Sequence, residues 1–393
     1  MRALAWHGKR DVRVDNVEDP RIEEPTDAII RVTSSGLCGS DLHLYEVMGP
    51  FMGEGDVLGH EPMGIVEEVG SAVTNIAVGD RVVIPFNISC GSCFMCEQGL
   101  QSQCETTQNR EQGTGASLFG YTKLYGEVPG GQAEYLRVPQ AHYGPIKVPE
   151  GPPDDRFLLL SDVLPTAWQA VKYANVPEGG TLVVLGLGPI GEMATRMAQH
   201  LGAGQVIGVD LVEDRLKRAA SHGVHTIDLR LTSDVAGEVR ELTGGRGPDS
   251  VIDAVGMEAH GSPGGKLAHT LAGLMPDPVA KKVMETAGLD RLAALHSALE
   301  IVRRGGTVSL SGVYGGTADP LNMMQAFDKQ VNLRMGQANV KRWVEEIMPL
   351  LSDEDPLGVD AYASHHVPLT DAPQAYADFQ GKVDGTFKVV FKP

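Results

Sequence analysis

Short apolar runs alternate with stretches of helical spacing through the middle of the chain. Residues Thr181 to Leu185 read T-L-V-V-L, which predicts a buried parallel strand. After the next turn, Ile190, Met193, Ala194, Met197, Ala198 and Leu201 fall on one helical face, and Gly202 is a stop signal. A second apolar run, Gln205 to Val209, ends at Asp210. Ser250 to Val255 and Gly306 to Val313 predict two further strands, closed by Gly256 and by Gly315-Gly316. Glycines thus gather where strands end, which is where doubly wound α/β sheets take ligands. Between the last two strands lies Met257 to His296. It opens G-S-P-G-G, reads as helix around Lys266 to Leu274 and breaks at M-P-D-P. A helical crossover needs little more than about a dozen residues, so roughly 25 are surplus. The N-terminal Met1 to Val14 alternates apolar and charged residues, which predicts a strand.

The chain has 393 residues, enough for two or three domains at roughly 150 each. Charged residues are 21% and hydrophobic residues 42%, the balance of a globular protein. A net charge of −18 repels phosphate backbones, so nucleic acid and anionic membrane are not expected partners. No apolar run is long enough for a membrane helix, and the N-terminus lacks a signal-peptide pattern. A cytoplasmic location is therefore expected. Glycine numbers 48, above the roughly 7% that is usual, which points to many tight turns.

Four of the five cysteines lie in C-G-S-C-F-M-C-E-Q-G-L-Q-S-Q-C, as Cys90, Cys93, Cys96 and Cys104. Short C-x-x-C turns bring sulfurs to one point, and four thiolates close a tetrahedral zinc site with no open position. An iron–sulfur cluster is the rival reading. The fifth, Cys38, stands in G-L-C-G-S-D-L-H, and Gly59-His60-Glu61 follows about twenty residues later. Cys38 and His60 read either as a metal pair with room for further ligands or as a buried thiol and a satisfied histidine.

The run T-L-V-V-L is followed by G-L-G-P-I-G, with Gly186, Gly188 and Gly191 at G-x-G-x-x-G spacing and Pro189 and Ile190 opening the helix. Strand, glycine turn, helix, strand and acid make the full context of a dinucleotide fingerprint. Gly186 permits the tight turn, Gly188 the approach of pyrophosphate, and Gly191 the packing of helix on strand. The helix N-terminus favours the phosphates. Asp210 suits the two ribose hydroxyls and repels a 2′-phosphate, which favours NAD over NADP. Arg215, just beyond, is a further candidate contact.

Together, G-L-C-G-S-D-L-H, G-H-E-P-M-G-I-V-E-E-V-G, the four-cysteine lobe, G-G-Q-A-E-Y-L-R-V-P and G-L-G-P-I-G ending in Asp210 resemble the zinc-dependent medium-chain alcohol dehydrogenases over essentially the whole chain. The segments A-V-G-M-E-A-H-G and L-S-D-V-L-P-T-A-W resemble the glutathione-independent formaldehyde dehydrogenase and dismutase branch.

The resemblance implies an α/β fold of two domains. One is a GroES-like distorted β-barrel, residues 1–162 and 335–393, carrying the zinc lobe 90–104. The other is a Rossmann domain, 163–334, with an insertion at about 257–296 that in the dismutase branch covers the cofactor. It implies two zinc ions per chain, one catalytic and one structural, and NAD. It gives the catalytic zinc Cys38 and His60 as ligands. Many members use a second cysteine as the third; here Asp162 stands at the matching position. Glu61 matches an acid close to the metal, and Asp41 a residue that orients the ligand histidine. Ser40 would take the proton of the alcohol and pass it to His43, and Lys388 would reach the pyrophosphate. The implied activity interconverts small alcohols and aldehydes, with a homodimer or homotetramer as the assembly. A polyol or amino-alcohol dehydrogenase of the same fold, and a scaffold that binds NAD and zinc without turnover, are the alternatives.

Overall fold

The computed structural model describes residues 1–232, 234–256, 292–314 and 321–393. The insertion expected at 257–296 lies outside the described residues up to 291, as do its helix around Lys266 and the Gly315-Gly316 pair. The chain divides into two compact units, Met1–Pro165 with Ala338–Pro393, and Thr166–Gln337. The borders fall slightly later than 162 and 335, one within the helix Val163–Ala174 and the other past the last strand of the second unit.

The first unit holds β1 (Arg2–Gly8), β2 (Asp11–Asn16), β3 (Ala28–Leu37), β4 (Glu61–Val69), β5 (Arg81–Val83), β6 (Tyr135–Val138) and β7 (Ile146–Lys147). The second holds β8 (Thr181–Leu185), β9 (Gln205–Asp210), β10 (His225–Asp228), β11 (Ser250–Asp253), β12 (Thr307–Leu310) and β13 (Asn332–Met335). The returning segment adds β14 (His365–Pro368) and β15 (Val389–Lys392) to the first unit.

The expected N-terminal strand is instead a hairpin. Arg10 adopts φ +58° and turns the chain, so that Leu4 pairs with Val14. The alternation breaks at Gly8-Lys9-Arg10-Asp11, a polar cluster that the single-strand reading ran through.

The main sheet of the first unit runs β14-β15-β3-β4-β5-β7, with β6 also on β3. Two register shifts interrupt β3 against β4, at Ile29/Ile30 and Val32/Ser34. Such bulges bend and twist a sheet, which gives the unit its distorted form. At Gly64 a Cβ would lie 2.1 Å from the Arg31 carbonyl oxygen, so only glycine allows these strands to approach. Ala28, Ile30, Val32, Val66 and Val82 pack into one core; Leu4, Leu37, Tyr376 and Phe391 belong to another. The second core anchors the end of β3, from which Cys38 departs.

The second unit is a parallel sheet in the order β10-β9-β8-β11-β12-β13. Chain order reverses between β8 and β11, the switch point where such sheets bind ligands. Val183, Leu185, Ile207, Val251 and Val308 fill its core. The helix Pro189–His200 begins with proline in its first turn, where a missing N–H costs nothing. Met193, Ala194, Met197 and Ala198 are buried as expected, but Leu201 follows the helix and is 42% exposed. β12 stops at Leu310, short of the expected Val313, because Ser311 and Gly312 turn their N–H groups onto the Asp253 carbonyl.

Candidate metal and dinucleotide sites

Cys38 is the residue between β3 and the helix Gly39–Glu46. Its thiol faces His60, Glu61 and Asp162, and one donor atom from each of the four lies within 4.8 Å of the others. Cys38 Sγ is 3.5 Å from Asp162 Oδ2, and His60 Nε2 is 3.4 Å from the same oxygen. His60 Nδ1 lies 3.2 Å from Asp41 Oδ1, which directs Nε2 into the group. Asp41 is held in turn: the Cys38 backbone N–H and the Gln132 amide donate to its Oδ2, and Tyr376 donates to the Gln132 oxygen. This is the support that a metal-bound imidazole needs.

Glu61 has one oxygen on the Lys388 ammonium, while its other, Oε1, is buried with no hydrogen-bond partner. A Cβ at Gly36 would lie 1.9 Å from Glu61 Oε2, so the carboxylate sits where only glycine leaves room. Burial pushes the Cys38 thiol up to about 11, and the carboxylates of Asp162 and Glu61 push the same way. Burial also raises Glu61, against the pull of Lys388. Burial lowers the affinity of His60 for a proton, but Asp41 and Asp162 outweigh it and hold the ring well above its usual value. A buried thiol, imidazole and two carboxylates attract positive charge together. Sulfur, nitrogen and oxygen donors in one dry group suit zinc, and the orphaned Glu61 Oε1 fits that ion as well.

Ser40 Oγ is 3.1 Å from His60 Nε2, and His43 follows three residues later on the same short helix. Phe86 and Tyr121 stand edge-on to the His60 ring, with centroids at 6.4 and 6.5 Å. Neither aromatic carries a motif signal, and the sequence reading missed both. The resemblance puts the Lys388 ammonium on the pyrophosphate. In the structure Lys388 is fully buried, donating to Glu61 and, at 3.1 Å, to the Leu37 carbonyl.

The four remaining cysteines are free thiols whose sulfurs lie within 4.8 Å of one another. Cys93 and Cys104 sulfurs are 3.9 Å apart, too far for a disulfide. Zinc–sulfur bonds of about 2.3 Å in a tetrahedron require about 3.8 Å. A multi-iron cluster would hold its thiolates farther apart. The Cys90 and Glu105 backbone N–H groups point at the sulfurs of Cys104 and Cys93, both at 3.3 Å. Ser102 ties the lobe to Asn339 through its backbone N–H and its hydroxyl.

In the second unit Gly186 adopts φ +85°, and a Cβ on Gly191 would lie 1.8 Å from the Gly186 oxygen. Gly188 caps the helix that Pro189 and Ile190 open. Asp210 is buried at the end of β9. Its Oδ2 accepts from the Leu187 N–H inside the glycine turn, and its Oδ1 from those of Leu211 and Val212. Arg215 Nη1 lies 3.8 Å from Asp210 Oδ2, on the Gly188 side of the turn.

Comparison with known proteins agrees with this geometry. The alcohol dehydrogenase GroES-like domain matches residues 24–150, and the zinc-binding dehydrogenase domain residues 189–262. An uncharacterized zinc-type alcohol dehydrogenase-like protein of Bacillus subtilis, AdhB, is 41% identical over 100% of both chains. The chain belongs to the zinc-type alcohol dehydrogenase family. Formaldehyde dismutase of Pseudomonas putida is 33% identical, covering 96% of this chain and 94% of its own. The solved structure of an alcohol dehydrogenase from Thermus sp. ATN1 is 34% identical, with a TM-score of 0.81 over 100% of this chain and 99% of its own. The chain is therefore an alcohol dehydrogenase-like oxidoreductase that uses zinc and a nicotinamide dinucleotide on a small-molecule alcohol or aldehyde. Among the described residues no helix is long and apolar enough to cross a membrane.

Proposed function

We propose that this enzyme oxidises a small primary alcohol or an aldehyde hydrate with NAD, and runs the reverse reduction. The convergence of Cys38, His60, Glu61 and Asp162 on one point carries the reading. Cys38, His60 and Asp162 hold the catalytic zinc, with the free Glu61 oxygen as a further donor. Zinc bound there acidifies a substrate hydroxyl and polarises a carbonyl. Ser40 accepts the hydroxyl proton at its Oγ, and His43 exchanges it with solvent. Phe86 and Tyr121 wall the site beside His60 and exclude water. Cys90, Cys93, Cys96 and Cys104 hold the structural zinc.

Asp210 binds the adenosine ribose and sets NAD over NADP, with Arg215 beside it. Lys388 holds Glu61 in place. The free cysteines suit a reducing compartment, so the reading includes a cytoplasmic location. It also includes a homodimer through β13. All four residues of that edge strand are exposed, and Met323, Met324 and Phe327 on the helix that precedes it in the chain are 64%, 73% and 80% exposed.

The test is a panel of alcohols and aldehydes with NAD. NADH formed from small primary alcohols, or from formaldehyde, supports the reading. Turnover confined to polyols shifts it to that class, and no turnover of any member by zinc-loaded protein overturns it. A monomer in sedimentation would remove the β13 interface.

A further inference from the structure

β11 lies between two ligand-side loops. Its last residue, Asp253, pairs in register with Leu185 of β8, just before the glycine turn, and with Leu310 of β12. Asp253 is wholly buried, and every acceptor it has is used. Its backbone oxygen accepts from the Ser311 and Gly312 N–H groups, so the chain leaving β12 folds back over the end of β11. Its Oδ1 accepts from Val255 and Gly256, fixing the turn after β11. Its Oδ2 accepts from the Tyr314 hydroxyl.

The two loops press closely together. A Cβ on Gly312 would lie 2.2 Å from the Gly256 nitrogen, and one on Gly256 would lie 2.6 Å from Val313. On its other side the turn after β11 packs on the phosphate loop. A Cβ on Gly186 would meet Val255 at 2.6 Å, and the Ala254 N–H donates to the Leu185 carbonyl. One buried carboxylate thus couples the phosphate turn, the β11 turn and the loop Ser311–Tyr314.

A dinucleotide lies across the switch point, one half over each side of the sheet. Asp210 on β9 marks the adenosine side. The side of β11 and β12 is then left for the nicotinamide. We propose that the Tyr314 hydroxyl and the Asp253 carboxylate form a latch that holds the loop Ser311–Tyr314 as the wall of the nicotinamide half of this site. Both are positioning residues: they act through the loop, where Val313 is the exposed side chain at 48%. Freeing the loop raises the cost of ordering it around the nicotinamide ring and leaves the adenosine half untouched.

The inference rests on the proposed NAD site, and its test separates the two. NAD and ADP-ribose, which lacks only the nicotinamide, are titrated onto the zinc-loaded enzyme and onto Tyr314→Phe. The latch predicts NAD binding about ten-fold weaker in the variant, with ADP-ribose within about two-fold of wild type. Equal weakening of both ligands, or of neither, overturns the latch. Wild-type enzyme that fails to bind ADP-ribose overturns the dinucleotide reading itself. Should Tyr314→Phe not fold, Asp253→Asn is held to the same comparison. It keeps an oxygen for Val255 and Gly256 but removes the charge that Tyr314 faces.

Discussion

Glu61 and Lys388 form an ion pair in which neither side chain reaches solvent, although 327 residues separate them in the chain. The pair joins the start of β4 to the residue before β15, beside the candidate metal ligands. A buried pair is weak evidence for net stability, but removing one partner strands the other charge.

Lys388→Met should therefore destabilise the first unit by about 3–5 kcal/mol, the cost of leaving Glu61 buried without a counter-charge. Lys388→Arg should recover part of that loss. Thermal or denaturant unfolding of the two variants measures it. A Lys388→Met enzyme as stable as wild type would show that Glu61 is held by something else.

Asp210→Ala should narrow the preference for NAD over NADP by about ten-fold or more, because charge repulsion and ribose hydrogen bonds vanish together. The ratio of kcat/KM for the two cofactors reads this directly. An unchanged ratio would leave Asp210 as a structural clamp on the Leu187, Leu211 and Val212 N–H groups.

Acid sensitivity of the first unit should pass through Asp154. Burial raises its carboxyl, but Ser34, Thr33 and Arg81 outweigh this and hold it below its usual 3.8. Thr33 and Ser34 donate from β3 at 2.7 and 2.6 Å, and Arg81 from β5 at 2.6 Å. Since the folded value is depressed, the stabilisation is present above about pH 4 and lost as the pH falls through the folded value. Asp154→Asn should lower stability at neutral pH and flatten its decline below pH 4. Urea midpoints between roughly pH 2.5 and 7 check both signs.

What the sequence revealed depended on distance along the chain. Gly186, Gly188 and Gly191 with Asp210, and the four lobe cysteines, are legible because the geometry they impose is local. Cys38, His60 and Asp162 meet only in the folded unit. Cys38 and Asp162 are 124 residues apart, and resemblance rather than spacing brought them together. The Glu61–Lys388 pair was missed because the resemblance gave Glu61 to the metal and Lys388 to the pyrophosphate, and residues 327 apart carry no local signal that they meet. Tyr314 and Asp253 sit at the ends of predicted strands, but nothing in either run announces that a hydroxyl meets a carboxylate there. The hairpin at Arg10 was hidden for a related reason: it uses a positive φ at a residue that is not glycine.

The central claim is that the two cysteine-containing clusters hold two zinc ions with different tasks. Zinc per chain, measured beside NAD-dependent turnover in wild type, Cys38→Ala and Cys96→Ala, tests it most directly. The account predicts two zinc ions in wild type. Cys38→Ala should lose one of them and all turnover while its unfolding midpoint stays close to wild type. Cys96→Ala should lose the other and chiefly its stability, since a closed site contributes folding energy. A Cys38→Ala enzyme that keeps both zinc ions, or that still turns over, would contradict it.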